Sequence, residues 1–124
     1  MSVPVELSAL RDAIAEHGRV AYLLTVNDDA TPHVVSVEVT VDVEDDTLVV
    51  GTGRRTRANL ERAPRVTLLW PTGPDQAYSL IVDATVASLA DDASTAALAP
   101  SAAVLHRVAG ADGDGPNCVP VGGA

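Results

Sequence analysis

The sequence predicts a mainly β domain: a small antiparallel barrel carrying two or three short helices. Three observations lead there. Residues 33–44, "HVVSVEVTVDVE", alternate strictly, with Val35, Val37, Val39, Val41 and Val43 on one face and Ser36, Glu38, Thr40, Asp42 and Glu44 on the other. That period of two is a long strand with one wet face. Other short apolar runs follow one another across stretches of turn chemistry, which makes antiparallel neighbours. The chain is 47% hydrophobic yet has no Phe, one Trp and two Tyr. Its core must therefore come from Val, Leu, Ile and Ala, and Val-rich runs favour strands. A chain of 124 residues suits one domain with one core.

Residues 4–17 read as a helix, because Leu7, Leu10 and Ile14 share a face and Gly18 stops it. The run 19–26, "RVAYLLTV", is a buried strand, and "NDDATP" at 27–32 is a turn. The alternating strand 33–44 comes next, then a turn at 44–46 and a third strand at 47–52. A short helix over 56–63 is ended by Pro64. Residues 65–70 form the fourth strand. Residues 77–89 form the fifth, with Tyr78, Leu80, Val82, Ala84 and Val86 on one face. A helix is expected over 91–101 and a sixth strand over 103–109. Residues 1–109 are thus one barrel domain, and 110–124 form a Gly- and Pro-rich tail expected to lack stable order. Closing such strands into a ring removes exposed edges.

Charge and composition exclude several classes of function. The net charge of −9 argues against nucleic acid and anionic membrane surfaces, which need a broad basic footprint. No apolar run reaches transmembrane length, and the charged first residues show no signal peptide, so a cytoplasmic protein is expected. The lone Cys118 rules out an intrachain disulfide framework.

One segment breaks the acidic pattern. Arg54, Arg55, Arg57, Arg62 and Arg65 are five of the eight cationic side chains, and they crowd in or beside "GTGRRTRANLERAP" at 51–64. Gly51 and Gly53 allow a close backbone approach. Thr56 is the candidate N-cap of the helix that follows. The first N–H groups of that helix lack internal partners, and its dipole favours an anion. Free amides, hydroxyls and guanidinium forks converging on one point describe a phosphate site. The competing reading is that these Arg side chains pair with surface carboxylates. The segment lacks the Walker A pattern, no H-E-x-x-H suggests a metal, and no G-x-S-x-G suggests a nucleophile. His33 and His106 read as hydrogen-bonded strand residues, His17 as a charge favouring its helix end, and Trp70 as core or interface. No catalytic acid, base or nucleophile is evident. The pattern fits a protein whose cofactor carries the chemistry, and equally a plain binding protein.

The order of "GRVAYLLTVNDDATPHVVSVEVTVD" and "TLVVGTGRRTRANLERAPRVTLLW" resembles the pyridoxamine 5'-phosphate oxidase-like family of flavin-binding split barrels, over about residues 5–90. The resemblance implies a six-stranded antiparallel split barrel forming a homodimer with the cofactor at its interface. It implies FMN, or alternatively the deazaflavin coenzyme F-420, in an oxidoreductase acting on a small molecule. By the same resemblance Thr52, Arg54, Arg55, Thr56 and Arg57 would hold the cofactor phosphate. The flavin ring would lie beside Val35, Ser36 and Val37. The chain departs from the family pattern in having no Lys, Ala30 where many members have Gly, and Ser36 where many have Pro. The extended C-terminal substrate segment of the true pyridoxamine phosphate oxidases is not recognisable, which points away from vitamin B6 oxidation.

Overall fold

The computed structural model describes residues 2–92 and 94–108. The tail at 110–124, with Cys118, lies outside the described residues. Seven strands run in the chain: β1 (Ser2–Pro4), β2 (Val20–Val26), β3 (Pro32–Asp42), β4 (Thr47–Gly51), β5 (Arg65–Trp70), β6 (Tyr78–Leu89) and β7 (Thr95–Arg107). Two helices, α1 (Leu10–His17) and α2 (Arg54–Arg62), and a 3-10 turn at Leu7–Ala9 complete it. Neighbouring strands follow the order β7-β4-β3-β2-β5-β6, and β6 pairs back onto β7. All pairs are antiparallel, so six strands close into the expected barrel. β1 is an extra strand on the edge of β7, at Val104–His106, beyond the reach of β4.

Inward-facing residues of all six strands meet in one core. Leu23, Leu68, Leu80, Val82 and Leu98 are fully enclosed, with Trp70 beside them. Trp70 belongs to this core, and its Nε1–H donates to the Gly18 carbonyl at 2.9 Å. α1 sits where β2 begins. There its His17 ring bridges the carbonyls of Ala13 (2.9 Å) and Tyr78 (3.1 Å), which ties the helix to β6. α2 sits where β2 ends, sealed by the buried Leu60.

Several elements differ from the sequence reading. The helix expected over 4–17 begins only at Leu10, because Ser2–Pro4 is captured as a strand by β7. The helix expected over 91–101 is absent. Thr95 already opens β7, which runs to Arg107 as one long strand rather than starting at 103. Its Ala residues favour helix intrinsically, but the segment has β4 on one side and β6 on the other, and that pairing prevails. Pro100 lies at a register shift against β6 and outside the stretch paired with β4, where a missing N–H is tolerated. The helix placed at 56–63 starts two residues earlier, and the long strand ends at Asp42, leaving Val43 exposed in the turn.

Candidate functional site

β3 is eleven residues long and β4 only five, and the mismatch opens the barrel. β4 covers β3 only from Val39 to Asp42. On its other side β3 is paired with β2 all the way from Pro32 to Glu38. At Gly51 the chain leaves β4 for α2, so among the described residues one edge of β3 over 33–37 has no strand partner. Unpaired strand backbone is a row of donors and acceptors. Here it faces the start of α2 across a groove of about 330 Å³, lined by His33, Val35, Ser36, Val37, Gly51, Gly53, Arg54, Arg55 and Thr56.

Six of the eight residues expected to hold the cofactor therefore line one groove: Val35, Ser36, Val37, Arg54, Arg55 and Thr56. Thr52 and Arg57 line an adjoining cleft on the far side of the helix start, and Gly53 and Arg54 border both hollows. Larger hollows exist, such as one of about 600 Å³ beside Arg65 and Asp83, but none of those combines an open strand edge with a helix start.

The N-cap residue of α2 supplies no side-chain cap. Gly53, not Thr56, is the N-cap residue, and it has no side chain to offer the first-turn amides. Thr56 lies inside the first turn and is 3% exposed. The first-turn N–H groups thus get no cap from the N-cap residue, and they stand at the partly positive end of the dipole.

The five-Arg cluster divides by role. Arg62 donates to the Val26 carbonyl and, at 3.1 Å, to Asn59 Oδ1, so it fastens α2 to β2. Arg65 faces the other hollow. Among the described residues the only ion pair is Arg19–Glu38 at 3.9 Å, with both side chains more than 70% exposed. Arg54, Arg55 and Arg57 form no ion pair with a described carboxylate. Arg57 Nη1 is buried and has no hydrogen-bond partner among the described residues. An orphaned buried guanidinium nitrogen is costly, and nearby anionic oxygens would relieve it. Two carboxylates stand further off. Asp29 is held below the usual carboxylate range, first by the Thr31 hydroxyl and amide, then by the charge of Arg55. Asp92 is lowered first by the Ser94 hydroxyl and amide, with Arg57 adding its charge. The uncapped helix, the orphaned Arg57 and the open strand edge all fit a phosphorylated, planar cofactor.

Sequence reasoning missed Asn59. It is 3% exposed, and its amide donates to Thr25 Oγ1 at 3.0 Å and Asn27 Oδ1 at 3.1 Å. It locks α2 to the turn between β2 and β3, which fixes both walls of the groove. A lone Asn inside a helical pattern was the only signal. Among the described residues no cluster of three or more His, Cys, Asp or Glu could hold a metal ion, and no helix is long and apolar enough to cross a membrane.

A family model described as "Pyridoxamine 5'-phosphate oxidase" matches residues 8–122. The chain belongs to this family, and its barrel is the one that the resemblance implied. An uncharacterised protein of Mycobacterium bovis is 38% identical over 120 residues, covering 87% of this chain and 84% of that one. Among solved structures, an F420 reductase superposes with a TM-score of 0.60 at 21% identity, covering 74% of this chain and 94% of the reductase. A haem storage protein of Vibrio cholerae superposes with a TM-score of 0.59 at 15% identity, covering 83% and 96%. Likeness at that level shows a shared barrel, and one barrel serves different ligands.

Proposed function

We propose that the protein is a flavin- or deazaflavin-dependent oxidoreductase acting on a small molecule. The observation that carries this is the groove between the open edge of β3 and the uncapped start of α2. In this reading Arg54, Arg55 and Thr56, with Thr52 and Arg57 in the adjoining cleft, hold the cofactor phosphate. The ring lies against Val35, Ser36 and Val37, half-buried or exposed strand positions that offer backbone groups to its heteroatoms. The bound ring would supply hydride transfer; the chain's residues bind it, orient it and shield one face. The cofactor is FMN or coenzyme F-420. Family membership and the F420 reductase likeness support a cofactor of this type. We place the cofactor at the interface of a homodimer, whose second protomer covers the exposed apolar residues Tyr22, Val26 and Val34 near the groove.

A second reading, a carrier that binds without turnover, has one observation in its favour: among the described residues, His33 is the sole titratable group lining the groove apart from the Arg side chains. Paired titrations of the unliganded protein with FMN and with F-420, read by fluorescence, test the site. Saturable binding of one of them is expected, weakened about tenfold or more in Arg55→Ala and in Arg57→Ala, as loss of a charge-assisted hydrogen bond implies. A folded dimer that binds neither would end the oxidoreductase reading. Turnover of the loaded protein with a reduced cofactor and an artificial acceptor separates enzyme from carrier.

A further inference from the structure

We propose that His33 belongs to the anion shell of the groove as a neutral Nε2–H donor, its tautomer set by a hydrogen-bond relay from Arg62 through Asn59 and Thr25. The inference rests on the groove being an anion site, as proposed above.

The relay can be assigned hydrogen by hydrogen. A guanidinium only donates. Arg62 reaches Asn59 Oδ1 at 3.1 Å, which fixes which end of the Asn59 amide is oxygen. Both amide hydrogens of Asn59 are then committed, one to Thr25 Oγ1 at 3.0 Å and one to Asn27 Oδ1 at 3.1 Å. The second branch checks the direction. Asn27 Nδ2 donates to Thr31 Oγ1 at 3.0 Å, and the Thr31 hydroxyl donates to Asp29 Oδ1 at 2.6 Å. That branch ends on a carboxylate, which only accepts. A donor-only group at the head and an acceptor-only group at one foot fix the direction of the bonds as far as Thr25.

The other branch ends at His33. Thr25 Oγ1 accepts from Asn59 and keeps its hydrogen and a second lone pair; of the two ways it can meet His33 Nδ1, 3.4 Å away, we assign the one in which the hydroxyl donates. With Nδ1 as acceptor the ring proton sits on Nε2. His33 lines the groove beside Arg55 and Thr56, and Nε2 has no protein partner among the described residues. The outcome is one more N–H on an anion-binding wall, held by a ring that is stiffened from behind. Thr25 and Asn59 are positioning residues; His33 makes the contact.

The tautomer is read on the unliganded protein by long-range proton–nitrogen NMR at pH 7.5, where the Nε2–H form of His33 is expected. An Nδ1–H form or an imidazolium would overturn the relay. Binding is then measured with two probes, inorganic phosphate and FMN, on His33→Gln and His33→Asn. The Gln amide nitrogen can stand where Nε2 does, and the Asn amide nitrogen stands where Nδ1 does. His33→Gln should bind phosphate within about threefold of the parent, and His33→Asn about tenfold more weakly. Equal affinity of His33→Asn and the parent, or no phosphate binding by the parent, would overturn the proposal. Thr25→Val should redistribute the tautomers; if it does not fold, the two His33 variants still decide. The two readings fail separately. Phosphate binding through His33 without cofactor binding sinks the oxidoreductase reading alone, and FMN binding indifferent to His33→Asn sinks this one alone.

Discussion

Ala30 shows how a single residue can carry a misfit. It adopts φ of 71°, in the left-handed region, within the turn where its N–H reaches the Asn27 carbonyl at 2.9 Å. A Cβ there costs about 1–2 kcal/mol, whereas Gly takes the conformation freely. Gly also adds about 0.5–1 kcal/mol of unfolded-state entropy, which offsets part of the gain. Ala30→Gly should therefore stabilise the protein by about 0.5–1 kcal/mol, seen as a melting point higher by a few degrees in calorimetry. The same turn holds a carboxylate that reports on it. Asp29 is exposed, and the Thr31 hydroxyl and amide keep its pKa below the usual range, with Arg55 adding a smaller pull. A lowered folded pKa means the contribution to stability is complete above the unfolded pKa and disappears as pH falls through the folded one. Thr31→Val should move the Asp29 titration, followed by carboxyl NMR, back up towards the ordinary aspartate value. An unchanged titration would mean that the hydroxyl is not its main cause.

At the level of elements, legibility followed periodicity. β3 announced itself because one face alternates cleanly over many residues, and β2, β5 and β6 were continuous or alternating runs bounded by turns. β7 was half hidden because its first residues are Ala-rich and favour helix alone; only partners on both sides decide it. β1 was hidden for a similar reason, since a three-residue strand on the edge of β7 has no period to read. The Arg segment was legible as an anion site from charge and helix-end chemistry. Its division was not, because what separates Arg62 from Arg55 is the carbonyl of Val26, which lies 36 positions away in sequence. Asn59 was illegible on the same ground, bonding across 34 positions to Thr25. Its environment sets its cost. Asn59→Leu would leave the buried Thr25 hydroxyl without its donor and cut the links to Asn27 and Arg62, so a loss of about 1–3 kcal/mol is expected in urea unfolding. The same variant should also loosen α2 against β2, raising amide exchange at the start of that helix more than in β6.

For the whole molecule, the open groove and the outer surface of the barrel pose one question. Among the described residues of a single barrel, the groove is walled on two sides, by the β3 edge and by α2. Its outer face is unusually apolar for a chain of net charge −9. The β2–β3 register puts Leu24 opposite Val34 and Tyr22 opposite Ser36, so these side chains share one outward face with Val20 and Val26. Val34 is 52% and Tyr22 43% exposed. A contiguous apolar patch on an acidic molecule is a place for a partner, and an antiparallel pair of outward faces suits a self-complementary contact. The proposed homodimer would bury this face and supply a third wall to each groove. The chain should therefore sediment as a dimer. Tyr22→Glu combined with Val34→Glu should give a monomer with an unchanged far-ultraviolet spectrum, because both positions point away from the core. FMN or F-420 affinity should fall with the dimer, and by more than the loss seen in Arg55→Ala, since a wall and not one donor is removed. A monomer that binds the cofactor as tightly as the parent would show that one protomer builds the whole site, and the third wall would then have to be sought in the chain itself.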